Sequence, residues 1–430
     1  MSEFPVLLGW MLAGTAAALV LGCLPGFHIY NLLALLLLTA QALPADRFSP
    51  EGFAVLAAAA VSAWAIAGIL PLVFLSVPDE STALMIPPAQ SAFRRGQGRG
   101  AALHAGAGGL GGALLVLAAL PLLPRLMPLL LEVLRPHFHW LLWAVILYLP
   151  LSEWPKGGTR GPAGWARFFD GASSWLAGLA TLLLSGALGF LILFRSPFPP
   201  ELASQSLAPA LIGLFAIPAL IQSCLGRPEP LPAQPEPRGV SLRAWLAGTL
   251  TGAAGGGFAA LVPAVTGGLG SLLAGQAAAQ SDDRAFLVAQ GSSRMVYYAG
   301  ALLLFAVPGA GIVRGGAAWQ VQALCEPTDR LFPLLAAAIA VGAGLAFLAL
   351  LPLTRLLTRL CPPERAPRAC RLALLLLLAM VGLTTGPLGL AVAAVGAGIG
   401  ALPLLYHSRR LNALGVVLLP IAWQMSRFKT

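Results

Sequence analysis

An all-α polytopic membrane protein is the fold class this sequence predicts, and three observations predict it. Of the 430 residues, 58% are hydrophobic. Only 10% are charged, where a soluble domain carries roughly 25%. The apolar residues also stand in continuous runs, such as Leu32 to Leu38 and Leu372 to Leu378. A membrane barrel would need alternating apolar and polar residues instead. Lipid offers backbone groups no hydrogen-bond partner, so continuous runs must be helical. A mean hydropathy of +0.83 excludes an ordinary soluble enzyme and a disordered chain. At ~20 residues per span, the length holds roughly ten to twelve transmembrane helices, with re-entrant or broken helices between them.

The elements follow in order. The run 6–24 begins without Lys or Arg, so it is expected to stay as a first helix rather than be cleaved as a signal. It halts at Pro25-Gly26, and a second run resumes over 28–43. The run 52–76 is rich in alanine and long enough to span. The segment "SVPDESTALMIPP", 76–88, is too short to span and ends at paired prolines. It is expected to be a re-entrant hairpin leading to the basic turn Arg94, Arg95, Arg99. Runs at 101–123, 139–151, 172–194 and 205–225 complete the first half, and "GAGGLGG" at 106–112 would let helices approach closely. The segment "GRPEPLPAQPEPRG", 226–239, holds five prolines and can be neither helix nor strand. Runs at 242–262, 264–279, 285–308, 331–357, 371–385, 387–406 and 411–425 follow. Thr384-Thr385-Gly386-Pro387 marks a further helix break or a turn. The organisation expected is an N-terminal transmembrane half (1–225), a Pro-rich polar linker (226–240) and a C-terminal transmembrane half (241–430).

The formal net charge is +10. Nucleic-acid binding would need a basic patch interleaved with stacking aromatics. The arginines instead sit in short loops, at 94–99, 156–167 and 359–371, as the positive-inside rule describes for cytoplasmic loops. The five cysteines make no CxxC or metal-ligand spacing. No GxxxxGK[ST] phosphate loop and no HExxH occurs, so ATP-driven transport and zinc-protease chemistry are not expected.

The two halves share a faint repeat. "WMLAGT" at 10–15 matches "WLAGT" at 245–249, and each opens a Gly-rich run that reaches a proline, Pro25 or Pro263. An acidic pair follows in each half, Asp79-Glu80 and Asp282-Asp283. Two pseudo-repeated, inverted halves with matching helix breaks are the sequence form of a secondary transporter.

Three constellations can carry chemistry. In "GCLPGFHIYN", 22–31, the break at Pro25-Gly26 frees N–H groups at a new helix start, which favour an anion. His28 and Asn31 share a face there. The competing explanation is a loop at the membrane surface. In 76–88, Asp79, Glu80, Ser81 and Thr82 follow a proline. Carboxylates at membrane depth mark ion or proton pathways, and Na⁺ could sit near Asp79, Ser81 and Thr82. The competing explanation is a solvated helix cap. In the second half, Gly256 within a Gly triplet could admit a ligand to the backbone, with Pro263 at the break. Asp282, Asp283 and Arg284 form a polar helix start, and Gln290 and Arg294 lie four apart on one face. An arginine here could clamp a carboxylate or phosphate; Arg284 and Arg294 could equally belong to a positive-inside loop.

Taken together these residues resemble the large membrane subunit of tripartite tricarboxylate transporters, and more nearly its divergent, archaeal-type branch. The resemblance rests on four segments in order. They are "GCLPGFHIYN", "VPDESTALMIPPAQSAFRRGQGRGAAL", "SDDRAFLVAQGSSRMVY" and "YHSRRLNALGVVLLPI", scattered over nearly the whole chain. The second break departs from the family pattern, reading "VPAVTGG" without a Pro-Gly step. The resemblance implies a permease of the cytoplasmic (inner) membrane of a prokaryote. It would move an organic anion such as a carboxylate, driven by H⁺ or Na⁺, with no other cofactor and no catalysis. Pro25, Gly26, His28 and Asn31 would form one break, Asp79 to Thr82 would sit beside it, and Asp282 and Asp283 would serve the second half. Expected partners are membrane lipid, a small anionic substrate, a small membrane subunit, a periplasmic binding protein and a second copy of the chain, with no nucleic acid. Two other functions fit the residues: translocation of a lipid phosphate such as polyprenyl phosphate, and a membrane enzyme using paired carboxylates on a lipid.

Overall fold

The computed structural model describes residues 3–42, 49–153, 164–199, 206–226, 231–279, 282–310 and 312–427. Most of the basic loop 156–167 and residues 227–230 of the linker lie outside them. Before the linker the chain forms α1 (Glu3–Leu21), α2 (Ile29–Ala42), α3 (Pro50–Ala67), α4 (Leu70–Leu75), α5 (Ile86–Arg94), α6 (Gly98–Ala119), α7 (Leu123–Leu134), α8 (Phe138–Leu151), α9 (Trp165–Phe194), α10 (Leu207–Leu211) and α11 (Ile217–Leu225). After it come α12 (Leu242–Leu261), α13 (Gly267–Ala277), α14 (Asp283–Ala306), α15 (Gly315–Gln322), α16 (Leu331–Leu360), α17 (Ala366–Leu405) and α18 (Gly415–Arg427). The all-α polytopic class is therefore observed. Among the described residues, eight helical stretches are long and apolar enough to cross a membrane. That is fewer than the ten to twelve expected, because several apolar runs are of another kind. The helices α2 and α13 have 14 and 11 residues. The 24-residue α14 carries Gln290 and Arg294 through its middle.

The chain packs as two compact units, one of residues 1–135 and 227–369, the other of 136–226 and 370–430. Each unit draws on both sides of the linker.

In the first unit, α1 packs on α3 and α12 packs on α14. The repeated tryptophan motif makes both crossings. Gly14 of α1 lies against the Leu56 carbonyl of α3, and a Cβ on Gly248 of α12 would stand 2.6 Å from the Ala285 oxygen of α14. The central helices then take partners from the opposite side of the linker: α3 packs on α16, and α14 on α6. Small residues again set the approach, Gly342 on Ala59, Gly108 on Val288 and Gly291 on Ala105. Without a hydrophobic force between helices in lipid, such close backbone contact is what holds them together. The stretch Pro50–Leu75 is 94% buried in its most apolar window, against 28% for α1. Its alanine run therefore faces protein and α1 faces outward.

The linker runs along one end of this unit. Gln234 Oε1 accepts from Gly98 N at 2.8 Å, and Gln234 Nε2 donates to the Phe93 carbonyl at 2.9 Å. Glu236 accepts from Arg99 at 2.8 Å and from Arg355 at 2.9 and 3.0 Å.

In the second unit, α18 packs on α9 and α8. Glu153 is 2% exposed, and its Oε1 accepts from Arg409 N at 2.6 Å and Asn412 Nδ2 at 3.0 Å. A π-helical turn, Ile212–Ala216, joins α10 to α11. The break expected at 384–387 appears as a kink in α17, where Gly386 has φ 69°.

Candidate ion-pair site at the helix breaks

Both expected breaks form, and both use a left-handed residue. The first helix ends at Leu21, the chain reverses through Gly26 at φ 82°, and α2 starts at Ile29. In the second half α12 ends at Leu261 and Pro263 follows. Ala264 takes φ 60°, and Thr266 caps α13 through Leu269 N at 3.5 Å. A non-glycine residue in this region is strained by roughly 1–2 kcal/mol. Proline lacks the N–H to continue α12, so the reversal falls beside it.

The segment after α4 is a tight polar knot rather than a solvated cap. Ser76 ends α4 at φ 60°. Asp79 Oδ1 then accepts from Ser81 N (2.9 Å), Ser81 Oγ (2.7 Å), Thr82 N (2.9 Å) and Thr82 Oγ1 (2.9 Å). Ser81 and Thr82 are each 1% exposed. Asp79 Oδ2 is left to face outward from the knot, and Arg294 Nη2 meets it at 2.8 Å. Arg294 is therefore no loop residue: it is fully buried in α14.

Its guanidinium carbon lies over the Trp64 ring, 3.9 Å from the centroid. Gly68, one turn further along α3, makes the room: a Cβ there would stand 2.8 Å from Arg294 Nη2. Gly267, in the first turn of α13, backs the Arg294 Cα.

The second pair is His28 Nε2 with Glu80 Oε1 at 3.0 Å. Tyr298, four residues after Arg294, adds its hydroxyl to Glu80 at 3.3 Å and lies 3.2 Å from His28 Nε2. Tyr30 N donates to His28 Nδ1 at 3.1 Å. That bond makes Nδ1 an acceptor and leaves the ring proton on Nε2, facing the carboxylate. The His28 and Trp64 rings also pack at a tilt, with centroids 4.3 Å apart. Residues from α3, α14, the first break and the 76–82 knot thus meet in one place.

Not every expected residue reaches it. Asn31 is buried on α2, and among the described residues none partners its Nδ2. Gly256 serves a helix crossing, with its Cβ position 2.8 Å from Val296 Cβ and 2.9 Å from Ser293 Cα. Pro263 terminates α12. Asp282 caps α14, accepting from Arg284 N at 3.3 Å and Ala285 N at 3.1 Å. With Asp283 and Arg284 it lines a separate cavity of about 880 Å³, which Arg95, His104 and Glu236 also border. Eleven residues of helix put that end roughly 16 Å from Arg294. Trp64, Gly68 and Tyr298 belong to the site without having been expected. Tyr298 carried a signal in its i, i+4 spacing from Arg294; Trp64 and Gly68 looked like ordinary members of an apolar run.

Buried opposite charges on broken helices, inside a polytopic helical chain, define a membrane transport component. The family model of the tripartite tricarboxylate transporter TctA family matches residues 8–415, and the chain belongs to that family. It is a multi-pass membrane protein of the large-subunit type in a tripartite transporter. No curated protein and no solved structure matches it.

Proposed function

We propose that the chain is a proton-coupled permease for an organic anion, working in the cytoplasmic membrane of a prokaryote with a small membrane subunit and a periplasmic binding protein. The observation that carries this reading is the pairing of Arg294 with Asp79 beside His28 and Glu80, all at the two helix breaks. An anion needs a buried cation, and Arg294 supplies it. A proton needs carboxylates whose partners can change, and Asp79 and Glu80 supply those. When an anion takes the guanidinium, Asp79 loses its counter-charge; a carboxylate left alone at that depth is costly, and taking a proton removes the cost. Binding of anion and proton is coupled by that exchange.

The proton is favoured over Na⁺ by the occupation of the oxygens. Asp79 Oδ1 accepts from four donors and Oδ2 from Arg294. A hard cation there would have to displace donors rather than find acceptors. His28, Glu80 and Tyr298 form a chain of exchangeable protons next to it. The matching breaks and the exchanged helix partners support two inverted halves that rock about this site.

The test is uptake of labelled carboxylates into vesicles holding the purified chain with its partner subunits. Asp79→Asn with Glu80→Gln is expected to abolish proton-driven accumulation while leaving anion exchange measurable. Accumulation that persists, or that follows a Na⁺ gradient, would remove the proton assignment. Transport of polyprenyl phosphate alone would replace the substrate class.

A further inference from the structure

We propose that Gln290, together with the Nε and Nη1 edge of Arg294, forms the subsite that grips the anion. The inference rests on the permease reading above and names the residues that hold its substrate.

The first observation is hydrogen bonding. Arg294 spends Nη2 on Asp79, and its guanidinium carbon sits over the Trp64 ring. Among the described residues, none partners Nε or Nη1. Gln290 is 1% exposed, and among the described residues neither its Nε2 nor its Oε1 has a partner. A buried polar group left unmet is costly to the fold. Four such atoms on two residues one helical turn apart form a patch built for something outside the protein. Donors predominate in it, which suits oxygen atoms bearing negative charge.

The second observation is direction. On α14, positions 283, 287, 290 and 294 fall within one narrow face at 100° per residue. Asp283 and Leu287 line the cavity of about 880 Å³. Gln290 stands roughly 4.5 Å further along the helix and Arg294 roughly 6 Å beyond that. Along this face Gln290 therefore lies between the residues that line the cavity and the free edge of Arg294.

The glutamine has a role the arginine cannot fill alone. Arg294 is already half neutralised by Asp79. A neutral donor beside it adds grip without adding charge, so the site releases its anion as readily as it takes it.

The experiment is anion binding to the purified chain, read by calorimetry with succinate, citrate and inorganic phosphate as probes. Wild type is compared with Gln290→Met and Gln290→Glu, each first checked for an unchanged melting temperature without anion. The expected result is roughly tenfold weaker binding in Q290M. A larger loss is expected in Q290E, whose carboxylate repels the ligand. A merely structural glutamine would not order the variants by charge. Wild-type binding with unchanged affinity in both variants would overturn the subsite and leave the permease reading standing. No binding of any probe to wild type would overturn the permease reading itself. If Q290M does not fold, Q290E, which keeps the shape, decides alone.

Discussion

Arg294 is held by a carboxylate at its tip, an indole under its guanidinium carbon and a glycine behind it. Each of these contacts limits the others. Gly68 matters because the guanidinium occupies the volume a side chain would take. Gly68→Ala is expected to push Nη2 off Asp79 and to weaken anion transport at least about tenfold, since displacements near 1 Å are enough to undo such sites. Its melting temperature should shift far less than its transport, and initial uptake rates against melting curves would check this. Half of this cluster could be seen in the sequence. His28, Asp79 and Glu80 stood out because polar residues beside prolines are rare in apolar runs. Trp64 did not stand out, because the arginine it faces comes from 230 residues away and an aromatic in an apolar run resembles packing. Asp282 and Asp283 stood out both as an acidic pair and as a polar helix start, and Asp282 does cap α14; a helix cap and a buried acid have the same letters, and only burial separates them.

Among the elements, the helix crossings divide glycines that touch a neighbouring backbone from glycines that do not. A Cβ on Gly248 would sit 2.6 Å from Val288 Cβ, whereas one on Gly257 would meet nothing within 4 Å. Both lie on α12, so the pair isolates packing from helix propensity. Gly248→Ala is expected to cost about 1–3 kcal/mol, as overpacking does, and Gly257→Ala to cost nothing or to stabilise slightly. Unfolding of the two variants in detergent by guanidinium would measure the difference. The breaks at Pro25 and Pro263 were legible because proline lacks the N–H that continues a helix, although Pro352 and Pro420 are carried inside α16 and α18. The role of the repeated tryptophan motif was legible only as a likeness. That its glycine closes α1 on α3 and α12 on α14 needed the packing partners, which no local pattern names.

At the scale of the molecule, the proline-rich segment was legible as a separator and not as a clamp. Proline content excludes helix, but it does not say what the chain lies against. Glu236 ties that segment to Arg99 and Arg355. The hydrogen bond from Arg355, with the charges of Arg355 and Arg99, holds its carboxyl below the ordinary range. A carboxylate lowered in this way stabilises the fold above the ordinary range, and the contribution disappears as pH falls through the lowered value. Wild type should therefore melt above Glu236→Gln at neutral pH, and the gap should close on acidification. A gap that persists in acid would assign the effect to packing. The contact sits at the border of the cavity, so the same pair of proteins would report whether the segment's attachment affects entry.

The exchange of partners between central helices has a consequence for synthesis. The ribosome completes α3 long before it reaches α16, and it completes α6 long before α14. Each buried, alanine- and glycine-lined surface is thus made in the absence of the surface that covers it. The early helices must wait in the bilayer with small-residue faces turned to acyl chains, which fill such grooves poorly. Only when the last third of the chain has been inserted can both crossings close. Assembly is therefore a late and collective event, and the arginine can enter its pocket only as the second central helix arrives, with its aspartate already in place.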